Sequence, residues 1–96
     1  MLAAVLRDFN NLLLEDIPIP DPGPGEVLIQ IQSCGFCATD FKAILGIRRN
    51  VDFPLVPGHE PAGIVAGIGS HVTHIKEGDD VIIQPSGYCG LCQYCR

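Results

Sequence analysis

Basic residues are scarce in this sequence and nowhere clustered. Six lysines and arginines stand against eleven aspartates and glutamates in 96 residues, a formal net charge of −5. Without a basic run there is no electrostatic footprint for a phosphate backbone or an anionic lipid surface. Nucleic acid and membranes are therefore not expected as partners. Long apolar runs are missing too, since none reaches the ~18 residues that a membrane span needs. Met1 to Asp8 holds one arginine and a short apolar stretch, which does not resemble a secretory signal, so a cytoplasmic location is the expectation. There is no internal repeat and no low-complexity tract.

What is present suits one small folded domain over residues 1–96. Hydrophobic residues make up 47% and charged residues 18% of the chain, a balance that supports a core rather than a disordered tail. A chain of this size buries roughly 60–65% of its unfolded surface, which leaves a modest margin of stability.

Local patterns divide the chain into short pieces. Leu2 to Leu6 and Leu12 to Ile17 read as strands separated by the turn-prone Phe9-Asn10-Asn11. Pro18, Pro20, Pro22 and Pro24 remove ladder donors, so residues 18–25 form an extended loop. Glu26 to Ser33 alternates, with Val27, Ile29 and Ile31 on one side and Leu28, Gln30 and Gln32 on the other, the period of a half-buried strand. A short helix is predicted from Ala38 or Thr39 to Leu45, stopped by Gly46. Arg48 to Pro57 reads as a loop. Ile64 to Ala66 and Val81 to Gln84 are further strands, with glycine-rich turns at residues 67–69 and 78–80. The expected fold is mostly β, a partly open β-barrel with one or two short helices.

The cysteines carry the strongest chemical signal. There are five, an odd number, and three of them follow one another as Cys89, Cys92 and Cys95. In a chain with no export signal this reads as metal ligation rather than a disulfide framework. Two-residue gaps let one tight loop wrap three sulfurs around one ion. A structural zinc site needs four ligands, so a fourth is expected outside these residues. The same spacing opens bacterial ferredoxin motifs, which keeps an iron–sulfur cluster as a rival. Cys37, Asp40, His59 and Glu60 form a second group, in which a cysteine and a histidine each have a carboxylate nearby to orient or tune a metal ligand.

Several motifs together resemble one family. Gly58-His59-Glu60-Pro61-Ala62-Gly63, followed by Gly69 and Val72, is similar to the fingerprint of zinc-dependent medium-chain alcohol dehydrogenases. Cys34-Gly35-Phe36-Cys37-Ala38-Thr39-Asp40 resembles the segment around that family's catalytic cysteine. Cys89, Cys92 and Cys95 match three of its four structural-zinc cysteines. Pro24 to Ile29 and Lys76 to Val81 also resemble its familiar stretches. The similarity runs through the whole chain in the family's order.

The resemblance implies a GroES-like fold and the N-terminal, zinc-binding part of an enzyme that oxidises an alcohol with hydride transfer to NAD or NADP. It makes Cys37 and His59 ligands of a catalytic zinc, with Glu60 beside the metal and Asp40 hydrogen-bonded to His59. Thr39 stands in the place of the hydroxyl that relays the substrate proton. In that family a further ligand, often a cysteine, comes from later in the chain. A nicotinamide-binding Rossmann unit is expected to be absent here, because Gly67-Ile68-Gly69 lacks the third glycine of a dinucleotide fingerprint and no helical pattern follows it. The chain by itself is therefore expected to be inactive, with a small-molecule alcohol as the substrate of the parent protein.

A stand-alone, non-catalytic GroES-like module that binds a metal or a partner is the alternative, and it admits a homo-oligomer sharing the cysteine loop between chains. Cys34 stands at C-x-x-C spacing from Cys37, where a redox pair is conceivable, and is expected to be buried packing. His71 and His74 are expected to face solvent, and Arg48 and Arg49 to form a solvated loop face.

Overall fold

A computed structural model describes all 96 residues. Six elements follow in order: β1 (Leu2–Asp8), β2 (Asn11–Asp16), β3 (Val27–Gly35), α1 (Ala38–Ile44), β4 (Glu60–Ile68) and β5 (Asp80–Ile82). Strands β1 and β2 form a two-stranded antiparallel hairpin, and β3, β4 and β5 form an antiparallel sheet in that order. The fold is mostly β, as the turn-rich pattern predicts. Its sheets remain open and do not close into a barrel within these residues.

The hairpin turns at Asn10, whose φ of 58° lies in the left-handed region that asparagine tolerates better than most residues. Across it, Arg7 forks onto Glu15 with nitrogen–oxygen distances of 2.8–3.2 Å. The pairing places Leu6 opposite Leu12 and Ala4 opposite Leu14. Two backbone hydrogen bonds between Leu6 and Leu55 then tie the hairpin to the loop that precedes β4.

Strand β4 is longer than the apolar run Ile64 to Ala66 predicts. Pro61 and the glycines read locally as punctuation, yet the ladder runs through them: Pro61 pairs with Cys34, Gly63 with Ile31 and Gly67 with Leu28. Gly67 and Ile68 thus belong to the strand and not to a turn. The reason lies in the partner strand. β3 is bulged twice, near Leu28 and near Ile31, and its Gln30 carbonyl fills the place where a Cβ on Gly63 would sit. Glycine there marks close backbone approach, which is one of its regular uses within strands.

Helix α1 agrees closely with the sequence. Cys37 is its N-cap and Asp40 completes a capping box, while Leu45 ends it and Gly46, at φ 76°, turns the chain away. The helix buries Ala43 and Asp40.

Few side chains are buried. Val5, Leu6, Ala43 and Val65 form the apolar core. The alternation in β3 produces half-burial only at Val27 to Ile29, and Ile31 is 48% exposed, because no second layer covers that end of the sheet. The accessible surface of 7224 Å² exceeds the about 5,400 Å² typical of a compact monomer of this mass. The radius of gyration, 15.4 Å, likewise exceeds the ~12.5 Å of a compact chain of this length. Both quantities describe an open body with apolar faces unpaired.

Core and surface should therefore separate sharply on mutation. In urea denaturation of the 96-residue chain, Leu6→Ala is expected to cost about 3 kcal/mol. Leu14→Ala, at a site 73% exposed, should cost no more than about 0.5 kcal/mol. Equal losses at the two positions would contradict this placement of the core.

Candidate metal centres

Two groups of side chains have donor atoms that all lie within 4.8 Å of one another: Cys37, Asp40 and His59, and Cys89, Cys92 and Cys95. The first stands where α1 begins and β4 is about to begin. Cys37, as N-cap, turns its sulfur back over the helix start, where the Thr39 N–H donates to it at 3.3 Å and Thr39 Oγ1 lies at 3.4 Å. Asp40 uses both carboxylate oxygens. Oδ2 accepts from the Cys37 N–H at 3.1 Å, and Oδ1 lies 3.3 Å from His59 Nδ1. His59 is delivered by Gly58, whose φ of 112° is open to glycine and rarely to other residues.

These contacts tune the cluster. The Thr39 hydroxyl, followed by its N–H, holds the Cys37 thiol below its ordinary pKa, and His59 adds to the effect. A hydrogen bond donated by the protonated ring to the Cys37 sulfur raises the pKa of His59 against the opposing effect of burial, with the Asp40 charge adding to the rise. Thiolate and imidazolium thus stabilise each other when no metal is bound. With Asp40 committed to Nδ1, Nε2 is the ring nitrogen left to ligate a metal.

The second group is a loop of its own. Cys95 Sγ lies 3.7 Å from Cys89 Sγ and 3.6 Å from Cys92 Sγ, and all five cysteines are free thiols. A tetrahedron with zinc–sulfur bonds of ~2.3 Å has edges of roughly 3.8 Å, so the three sulfurs already stand near the corners of such a site. Gly90 at φ 69° allows the N–H groups of Leu91 and Cys92 to converge on Cys89 Sγ at 3.4 and 3.5 Å. Those two N–H groups are the main reason that the Cys89 pKa falls to about 7. The donors fit zinc in both groups: thiolate with imidazole in one, three thiolates in the other.

Not every residue expected at the site joins it. Glu60 is exposed, opens β4 opposite Gly35 with its carboxylate packed over that glycine, and is not among the donors around Cys37. Cys34 is exposed rather than buried, at the end of β3 beside the start of β4. Its sulfur sits against Gly58. His71 and His74 are exposed, as expected.

Sequence reasoning missed the cleft beside the first cluster. A hollow of about 320 Å³ opens next to His59, lined by Thr39 and Asp40 and by Arg48, Asn50 and Asp52 of the preceding loop. The only local signal was a polar loop, which does not say which way it faces. A larger hollow of about 420 Å³ lies over β4 and β5 and contains neither cluster.

Residues 23–96 match the model of the alcohol dehydrogenase GroES-like domain. The chain belongs to this family. Over its full length it is 46% identical to an alcohol dehydrogenase of Rhizobium meliloti, and over 99% of its length it is 40% identical to a sorbitol dehydrogenase of Ovis aries. It spans 29% and 27% of those two proteins. Among solved structures, a cobalt- and zinc-bound thermostable alcohol dehydrogenase from Pyrobaculum aerophilum superposes with a TM-score of 0.88 at 37% identity, covering 99% of this chain and 30% of that one. In this GroES-like chain the hairpin β1–β2 and residues 18–22 of the proline loop lie outside the family match, while both clusters lie within it. No helix is long and apolar enough to cross a membrane.

The lowered pKa of Cys89 has a direct consequence. With metal removed by a chelator, the rate of Cys89 alkylation by iodoacetamide should rise to half its maximum near pH 7, against the ordinary thiol value of 9.0. Peptide mapping of the alkylated chain across a pH series measures this, and a midpoint near 9 would contradict the loop geometry.

Proposed function

We propose that residues 1–96 are a GroES-like zinc-binding domain of a longer zinc-dependent dehydrogenase, which oxidises a small-molecule alcohol to an aldehyde or ketone with NAD or NADP. The observation that carries this reading is the convergence of Cys37 and His59, with Asp40 behind the histidine, at the mouth of a polar cleft. Family membership and the dehydrogenases on either side of the comparison support it. So do the uncovered apolar faces, which suit docking onto further parts of one protein.

In this reading Cys37 and His59 hold a catalytic zinc, Glu60 stands close to it, and Cys89, Cys92 and Cys95 hold a structural zinc. Both sets are completed by ligands beyond these residues. When bound, zinc supplies a Lewis acid that acidifies an alcohol hydroxyl, and NAD or NADP supplies the hydride acceptor. The chain's own residues do the rest. Asp40 fixes the tautomer and plane of His59 through Nδ1. The Thr39 hydroxyl, beside Cys37 Sγ and lining the cleft, takes the substrate proton and passes it toward solvent. Arg48, Asn50 and Asp52 supply polar contacts to the part of the alcohol away from the reacting carbon. With a net charge of −5 and no basic face, neither nucleic acid nor a membrane is a partner, and the working location is the cytoplasm. In this reading other parts of the enzyme hold the nicotinamide, and residues 1–96 by themselves do not turn over an alcohol.

The test is NAD(P) reduction by the full-length protein with alcohols and polyols, alongside its zinc content. Thr39→Ala should lower kcat by roughly a hundredfold or more, with Thr39→Ser retaining most activity. Cys37→Ala should abolish turnover and remove one zinc, leaving the zinc at Cys89, Cys92 and Cys95 in place. Alcohol-dependent reduction that survives Cys37→Ala would overturn the assignment.

A further inference from the structure

The loop between Gly46 and Gly58 brings Arg48, Asn50 and Asp52 to the cleft, and its other side is held by the β1–β2 hairpin. Leu6 and Leu55 exchange backbone hydrogen bonds at 2.7 and 3.0 Å. The Asn10 N–H donates to the Ile44 carbonyl at 2.7 Å, at the point where α1 ends and the loop departs. Between these two ties stands Phe9. Its ring meets Phe53 edge-on, with centroids 5.0 Å apart and planes at 82°. The guanidinium carbon of Arg49 lies 5.8 Å from the Phe9 ring centroid. The same ring fills the space where a Cβ on Gly46 would be. One side chain thus contacts the loop at its first residue, at Arg49 and at Phe53 near its middle.

We propose that Phe9 is a positioning residue: through Arg49 and Phe53 it holds the loop in the shape that presents Arg48, Asn50 and Asp52 to the cleft, and so sets the affinity for substrate. The inference rests on the reading that this cleft receives the alcohol. It goes beyond that reading by assigning part of the cleft's shape to a hairpin that lies outside the family match. The physical reason is that the loop contributes little structure of its own. Apart from the Leu6–Leu55 bridge it has no regular hydrogen-bonded pairing, so its conformation depends on what it leans against. An edge-to-face aromatic pair and a cation over a ring face are each directional, and they fix the loop's orientation as well as its attachment.

Phe9→Ala and Phe9→Leu in the full-length protein test this with two independent readouts. The first is steady-state kinetics: KM for the alcohol should rise about tenfold in Phe9→Ala while kcat stays within about twofold. Phe9→Leu, which keeps apolar bulk without the ring, should fall between. The second is limited trypsin digestion. Cleavage after Arg48 and Arg49 should accelerate about tenfold relative to cleavage after Lys76, which lies outside the loop. An unchanged KM, or digestion that speeds up equally at Lys76, would overturn the proposal, since a general loss of stability loosens every site. Should wild-type protein reduce no nicotinamide with any alcohol, the dehydrogenase reading fails, and the ratio of loop to Lys76 cleavage still decides whether Phe9 holds the loop. Where Phe9→Ala yields no folded protein, Phe9→Leu is read by the same two criteria.

Discussion

The arrangement at the first cluster depends on one buried carboxylate. Asp40 is 6% exposed and spends its two oxygens in two directions. Toward its own helix it accepts the Cys37 N–H and closes the capping box, and toward the other side it meets His59 Nδ1. A buried carboxylate without partners would be costly, and this one is satisfied only when α1 and the start of β4 stand together. The same hydrogen bonds that satisfy the charge therefore set the spacing between a sulfur and a ring nitrogen. Local helix capping and ligand placement are one interaction.

Around that joint the structure is open. Two small sheets, one short helix and a core of four apolar side chains leave large faces in water. The cysteine loop solves its problem without a core: the Leu91 and Cys92 N–H groups gather on the Cys89 sulfur, and the sulfurs settle at the edge length of a zinc–thiolate tetrahedron. Where apolar packing is thin, backbone donors that converge on one sulfur carry the local order. A structural zinc contributes folding energy directly, which fits a loop with so little packed against it.

What the sequence made legible was whatever depends on near neighbours. The short helix before Leu45, its stop at Gly46 and the cluster of Cys89, Cys92 and Cys95 each arise within a few residues of chain, so their geometry follows from spacing. The half-burial of β3 failed at Ile31 because alternation says which side faces inward but not whether anything is there to face. Cys34, expected in the interior, lies exposed with its sulfur against Gly58. The length of β4 was hidden because Pro61 and Gly63 look like breakers locally and become strand residues only against the bulged β3. Glu60, adjacent to His59 in the chain, has its carboxylate over Gly35 because it opens β4 and pairs there with the end of β3. The cleft joins segments up to 20 residues apart and the Phe9–Phe53–Arg49 contacts join segments some forty residues apart, and no local pattern announces them.

The most direct test of the central claim is the zinc affinity of the Cys37–His59 site after Asp40→Asn, measured in the full-length protein by competition with a chromophoric chelator. The substitution keeps the shape of the side chain and an acceptor for the Cys37 N–H, but removes the charge behind His59. If Asp40 is the joint on which the site depends, affinity falls by about ten- to a hundredfold while the zinc at the cysteine loop is unaffected. An unchanged affinity would mean that Cys37 and His59 are held by the backbone alone, and the account of Asp40 would be wrong.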